Sequence, residues 1–119
     1  MIVIKRILIV APDRGLRRSL EFALEAEGFA VDSHARLAAA VASRLAPTTV
    51  CAVIDGDAIL DRVSDWDALA RLSKAIVLLV DRPEGVPYLA GMRVLVKPLL
   101  GNALIETVQR MVVRRVAKS

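Results

Sequence analysis

Residues 7–13 read ILIVAPD, and this stretch decides how the rest of the chain is read. Ile7 to Val10 form a short, uniformly apolar run rich in β-branched residues. A run without apolar/polar alternation fits a strand covered on both faces. It is followed by LRRSLEFALEAEGF, residues 16–29, in which Leu16, Leu20, Ala23 and Leu24 fall on one helical face. Runs like the first recur at Val50 to Ile54, Ile76 to Val80 and Val94 to Val96. Helical spacing returns between and after them: Leu37, Val41 and Leu45; Ile59, Val63, Trp66 and Leu69; and Leu100, Leu104, Val108, Met111 and Val112.

The order is therefore β-α-β-α. Crossovers between parallel strands need a covering helix, so the alternation predicts an open parallel sheet with helices on both faces. The second strand, near Ala30 to Ser33, is the least apolar and belongs towards an edge. The segment DRPEGVPYLAGM, residues 81–92, holds two prolines and two glycines. A helix there is expected to be short or degenerate, one or two turns at most.

A chain of 119 residues makes one domain, residues 1–119. With 55% hydrophobic and 25% charged residues it has the composition of a compact globule, not of a disordered segment. The opening MIVIKRILIVAPD is interrupted by Lys5 and Arg6 too soon for a membrane span or a secretory signal, so a cytoplasmic location is expected. The single Cys51 agrees, since it lies in an apolar run and has no intramolecular partner. The formal charge of +4 fits either an anionic partner or a solvated surface.

In sheets of this kind the functional site lies beyond the carboxyl ends of the strands. Those ends supply Asp13 near the first strand, Asp55 and Asp57 after the third, Asp81 after the fourth, and Lys97 with Pro98 after the fifth. The combination of ILIV leading to a loop and helix, VCAVID ending in Asp55, and VLVKP ending in Lys97–Pro98 resembles the receiver domain of two-component response regulators. The resemblance spans essentially the whole chain. It implies a flavodoxin-like, doubly wound five-stranded parallel sheet of order 2-1-3-4-5. It further implies phosphorylation at Asp55, with Lys97 contacting the phosphoryl group and Mg²⁺ held by an acidic pair after the first strand. A carboxylate can attack a phosphoryl group only when cations neutralise the transferring oxygens.

The departures from that pattern carry as much information. Aligned from ILIV, the acidic-pair positions fall on Ala11 and Pro12, neither of which has a side-chain oxygen. Mg²⁺ binding is therefore expected to be weak, and no metal or other cofactor is assigned. The family's phosphoryl-sensing hydroxyl falls on Val80 and its aromatic switch on Val94. The loop before the fourth strand and the region of the fourth helix are shortened. These features predict an atypical receiver, or pseudo-receiver, that is no enzyme and has no catalytic residue of its own.

Asp55 then reads as a strand-end carboxylate paired with Lys97, or as a phosphoacceptor served by a displaced metal site. Asp13, Asp57 and Asp81 are the possible surrogate carboxylates for such a site, although Asp13 precedes RGLRRSL and reads as a helix N-cap. His34 has no neighbour at metal-ligand spacing and is placed at the turn into the second helix. Trp66 follows the apolar spacing of the third helix and is assigned to packing. Phe22 points away from the stripe of Leu16, Leu20 and Leu24, which makes it a candidate docking residue.

The last helix carries a second apolar set, Ile105, Val113 and Val116, and is the candidate surface for a homodimer. Arg14, Arg17, Arg18, Arg110, Arg114, Arg115 and Lys118 are expected to share one side of the sheet. Without a helix-turn-helix or an aromatic-interleaved basic strand, that face is weak support for a basic-face nucleic-acid-binding regulator. No G-x-S-x-G, glycine-rich phosphate loop or Ser-His-Asp set supports a hydrolase or nucleotide enzyme. The expected partner is a signalling protein, either a sensor kinase or an output domain, with no membrane association.

Overall fold

The computed structural model describes residues 4–72, 75–87, 89–99 and 102–118, with side chains as far as Val113. Five strands, β1 (Arg6–Val10), β2 (Ala30–His34), β3 (Thr49–Asp55), β4 (Ala75–Val80) and β5 (Met92–Val96), form one parallel sheet in the order β2-β1-β3-β4-β5. Four helices accompany them: α1 (Arg14–Ala26), α2 (Leu37–Ala42), α3 (Ser64–Arg71) and α4 (Ala103–Lys118). The doubly wound 2-1-3-4-5 arrangement is the one expected from the sequence.

Strand alternation sorts the apolar residues between two cores. Ile7 and Ile9 of β1, Cys51 and Val53 of β3, and Val77 and Leu79 of β4 face one way. There they meet Leu20 and Leu24 of α1 and Leu104, Val108 and Val112 of α4. Leu8 and Val10, Ala52 and Ile54, and Ile76 and Leu78 face the other way, against Leu37 and Ala40 of α2 and Leu69 of α3. Because successive strand residues point to opposite faces, a strand buried on both sides must be apolar at every position. This accounts for the uninterrupted runs in β1, β3 and β4.

Local signals set the ends of α1. Asp13 stands outside the helix in an extended conformation, and its Oδ2 accepts from the Leu16 amide at 2.8 Å, the N-cap arrangement expected for it. At the other end Gly28 adopts φ +92°, the Gly28 amide donates to Glu25 O and the Phe29 amide to Leu24 O. That pair of bonds is a Schellman closure, and it turns the chain directly into β2.

Several expectations are corrected. The spacing of Leu37, Val41 and Leu45 does not mark one helical face: α2 stops at Ala42, its buried residues are Leu37 and Ala40, and Val41 and Leu45 are exposed. A short 3₁₀ turn at Ala46–Thr48 follows, started by Pro47. Likewise Ile59 and Val63 precede α3, which begins at Ser64, and only Trp66 and Leu69 of that set lie within it. Tertiary packing overrides the periodicity because segments this short need bury only one or two side chains.

Between β4 and β5 the described residues contain no helix, and Val86 and Leu89 of this segment pack against the α2/α3 core instead. The fourth helix is thus degenerate among the described residues, as the prolines and glycines lead us to expect. Trp66 packs against the same core, as expected. Phe22 is 78% exposed, also as expected. In α4, Ile105 belongs partly to the α1/α4 core while Val113 is exposed, so the two do not form one outer stripe. Leu100 and the side chains of Arg114, Arg115, Val116 and Lys118 lie outside the described residues. Among the described residues no helix is long and apolar enough to cross a membrane.

Candidate functional site

The carboxyl ends of β1, β3, β4 and β5 converge at one edge of the sheet. Asp55 closes β3, opposite Leu79 in the ladder with β4, and Val80 pairs with Val96 one step before Lys97. The Lys97 amide continues that ladder by donating to Val80 O at 2.7 Å, and the Lys97–Pro98 peptide is cis. Directly after Asp55 the chain bends into a 3₁₀ turn, Gly56–Ala58. A Cβ on Gly56 would stand 3.1 Å from Leu79 O, a crowded contact that glycine avoids where the backbone passes close to β4.

The strand ends bring together four of the residues singled out from the sequence. Lys97 Nζ donates to Asp55 Oδ1 at 2.8 Å and stands 3.8 Å from both Asp57 Oδ2 and Asp81 Oδ1. Asp55 is 1% exposed, whereas Asp57 and Asp81 are exposed. Partial burial pulls the Lys97 ammonium down, but the hydrogen bond to Asp55 and the charges of Asp55, Asp57 and Asp81 outweigh it and leave its pKa raised. The second carboxylate oxygen, Asp55 Oδ2, is buried and has no hydrogen-bond partner. One ammonium therefore serves three carboxylates, and the innermost is only half satisfied.

The first loop supplies no comparable group. Ala11 is fully buried within the α1/α4 core, and Pro12 is exposed. Asp13 is turned to the α1 amide at Leu16. The Ala11 carbonyl accepts from Arg17 Nη1 at 2.8 Å, and the Pro12 carbonyl shares the same donor at 3.3 Å. A guanidinium thus lies on the backbone oxygens of the segment where the resemblance calls for an acidic pair. Among the described residues no three His, Cys, Asp or Glu side chains are grouped so as to hold a metal ion together. The donor set that the resemblance implies for Mg²⁺ is not matched by these residues.

Val80 and Val94, at the sensing and switch positions, are partly buried apolar side chains of β4 and β5. Neither can supply a hydroxyl or an aromatic ring.

Three features escaped the sequence reading. In the sequence Arg17 is one of several arginines expected on a common face; its position in the first turn of α1, facing back towards the loop, is the available signal. Gly56 carried a signal in the Asp55–Gly56 dipeptide, which favours a turn. His34, placed at a turn without a partner, instead ends β2, and its Nε2 lies 2.8 Å from Asp32 Oδ1 on the same strand face. Asp32 Oδ2 accepts from Ser43 Oγ at 2.7 Å, which ties β2 to the end of α2. The correction is geometric: residues two apart in a strand share a face.

α1 and α4 pack on the same face of the sheet, and Arg14, Arg18 and Arg110 are exposed there.

No family model matches the chain. A curated relative, the transcriptional regulator protein FixT of Rhizobium meliloti (strain 1021), is 34% identical over 112 residues, covering 92% of this chain and 94% of that protein. Among solved structures, a CheY-like receiver domain protein from Methanospirillum hungatei JF-1 superposes with a TM-score of 0.76 at 20% identity, covering 98% of this chain and 100% of that one. A sensor protein from Polaromonas sp. JS666 reaches 0.75 at 28% identity over 93% and 98%. A response regulator receiver protein from Sinorhizobium medicae WSM419 reaches 0.74 at 20% over 94% and 97%. With a relative of this identity along nearly its whole length, and five parallel strands in the order those domains share, the chain belongs to the response regulator receiver family of two-component signalling.

Proposed function

We propose that this receiver works as a protein-interaction module, with Mg²⁺-dependent phosphorylation of Asp55 impaired. The observation that carries the proposal is the first loop. Ala11 and Pro12 stand where two carboxylates would grip a divalent ion, and the carbonyls of both are engaged by Arg17. Without a bound cation, an incoming phosphoryl group would meet three carboxylates with only Lys97 set among them. Asp55 is also only 1% exposed, so its side chain offers a phosphodonor little access.

Lys97 in this reading neutralises Asp55 and fixes the ends of β3 and β5 relative to one another. Val80 and Val94 lack the polar and aromatic groups through which a phosphoryl group would be reported to the surface. The expected partner is a signalling protein, a sensor kinase or an output domain, in the cytoplasm. FixT bears the name of a transcriptional regulator, and an output reached through a protein partner fits a chain whose sequence holds no DNA-reading motif.

One observation favours the rival reading, a phosphoacceptor with a displaced metal site: Asp55 Oδ2 is unpartnered and Lys97 is in place. Incubation with Mg²⁺ and a small phosphodonor separates the two. The proposal expects no acid-stable mass gain of one phosphoryl group. A stoichiometric gain that is lost in Asp55→Asn overturns it.

A further inference from the structure

The loop between β3 and α3 carries an apolar pair that the receiver fold does not use. Leu60 is 84% exposed and Val63 is 74% exposed, the first and third most exposed of the large hydrophobic residues described. Ile59, beside them, packs into the α2/α3 core, so the chain has an apolar anchor here and still leaves these two outside.

They are also held outside. Asp65 Oδ2 accepts from the Leu60 and Asp61 amides at 2.7 and 2.9 Å, and Asp61 Oδ1 accepts from the Val63 and Ser64 amides at 2.9 Å each. Four of the five residues 60–64 thus have their backbone amides held by two carboxylates, the exception being Arg62. Arg62 instead reaches across, its Nη2 donating to Gly85 O at 3.2 Å in the helix-free segment before β5. The amides of Ser64 and then Val63, with the Ser64 hydroxyl, hold the Asp61 carboxyl below its ordinary range, so the brace is charged at neutral pH. An apolar pair fixed this way loses little further freedom on being covered.

The surroundings indicate what covers it. Residues 57–67 hold four of the thirteen acidic residues, Asp57, Asp61, Asp65 and Asp67, against the single Arg62, in a chain whose formal charge is +4, while Lys97 is hydrogen-bonded to the buried Asp55. Asp81 adds to the same side, since it and Asp57 both lie 3.8 Å from Lys97 Nζ. Charge of this sign around an exposed apolar pair selects a cationic partner and repels an acidic one.

We infer that Leu60 and Val63, in their acidic setting beside Asp55, form the docking surface for a cationic amphipathic helix of the partner protein. The inference rests on the docking reading proposed above and names the surface that performs it. Leu60 and Val63 take the helix's apolar face, and Asp57, Asp61 and Asp81 meet its lysines and arginines.

The test is a titration of the ¹⁵N-labelled full chain with a synthetic amphipathic helix of leucine and lysine, followed by its amide spectrum. A peptide with the same leucine spacing and glutamate in place of lysine is the control. Supporting results are shifts centred on residues 60–65 with the lysine peptide, none with the glutamate peptide, and binding weakened about tenfold or more in Leu60→Ser/Val63→Ser. Both residues are exposed, so that variant keeps the fold, which its own spectrum checks; Phe22→Ser is expected to bind like the wild type. Absence of binding, shifts centred on α1 or α4, or equal binding by the double serine variant overturns the inference. So do concentration-dependent shifts at residues 60–65 without peptide, which make a second copy the occupant. Failure here leaves the impaired-phosphorylation result untouched, and a phosphoryl gain on Asp55 leaves this surface to stand or fall by its own map.

Discussion

Replacing Lys97 by methionine tests the electrostatics of the site most directly. The substitution keeps most of the side-chain volume but removes the one ammonium that faces Asp55, Asp57 and Asp81. Asp57 and Asp81 are exposed and turn to water at little cost. Asp55 is 1% exposed, has already an unpartnered Oδ2, and is left with the long 3.4 Å contact from the Asp57 amide on Oδ1. Breaking a buried pair from one side costs about 3–5 kcal/mol. The Lys97 side chain is 18% exposed, so water entering its place reduces the loss to about 3 kcal/mol.

The reverse substitution is much milder. Asp55→Asn keeps a polar group against Nζ and leaves Lys97 between two further carboxylates, so a loss of about 1 kcal/mol is expected. The double variant Asp55→Asn/Lys97→Met no longer strands a charge and recovers about 2 kcal/mol relative to Lys97→Met alone. Urea unfolding followed by circular dichroism, with the slope m compared across the four proteins, measures the cycle. Thermal unfolding should show Lys97→Met lowered by about 12 °C. The reasoning is refuted if Lys97→Met costs no more than Asp55→Asn, or if the double variant is less stable than Lys97→Met.

The Lys97 pKa is raised in the folded state, so the pair's stabilisation is fully present below the unfolded value of 10.5 and is lost as pH rises through the higher folded value. Wild type should therefore lose stability above about pH 10.5 faster than Lys97→Met, as read from urea midpoints across the alkaline range. Asp13→Ala removes the α1 cap and should cost about 1 kcal/mol, seen in the same unfolding assay. Restoring carboxylates with Ala11→Asp/Pro12→Asp should create Mg²⁺-dependent phosphoryl gain on Asp55, read by intact mass. It should also lower stability by about 1–3 kcal/mol, because Ala11 is fully buried. A restored pair that binds Mg²⁺ but gives no gain would show that the obstacle lies elsewhere than in the first loop.

The elements most legible in the sequence were β1, β3 and β4, because a strand covered on both faces must be apolar throughout, and runs this short and rich in β-branched residues favour strand over helix. α1 was equally plain, with Asp13 before it, Gly28 after it and Leu20 and Leu24 on its inner face. The stripes assigned to the second and third helices were less reliable. Val41, Leu45 and Val63 are apolar at helical spacing but exposed, since α2 and α3 bury only one or two residues each and the surrounding loops take up the rest.

What the sequence settled by itself was the order of elements, the parallel sheet that this order requires, and the placing of Asp55, Lys97, Asp57 and Asp81 at the strand ends; the strand order 2-1-3-4-5 was implied only by the resemblance to receiver domains. Periodicity and chain connectivity are local properties, and they require no knowledge of what touches what. Only the tertiary structure decided how those groups share charge: one ammonium among three carboxylates, an unpartnered Oδ2 on Asp55, and Arg17 folded back onto the Ala11 and Pro12 carbonyls. It likewise decided that Leu60 and Val63 stay outside, held by Asp61 and Asp65. Distances between residues far apart in sequence, and the water each group loses or keeps, exist only once the sheet has brought its strand ends together.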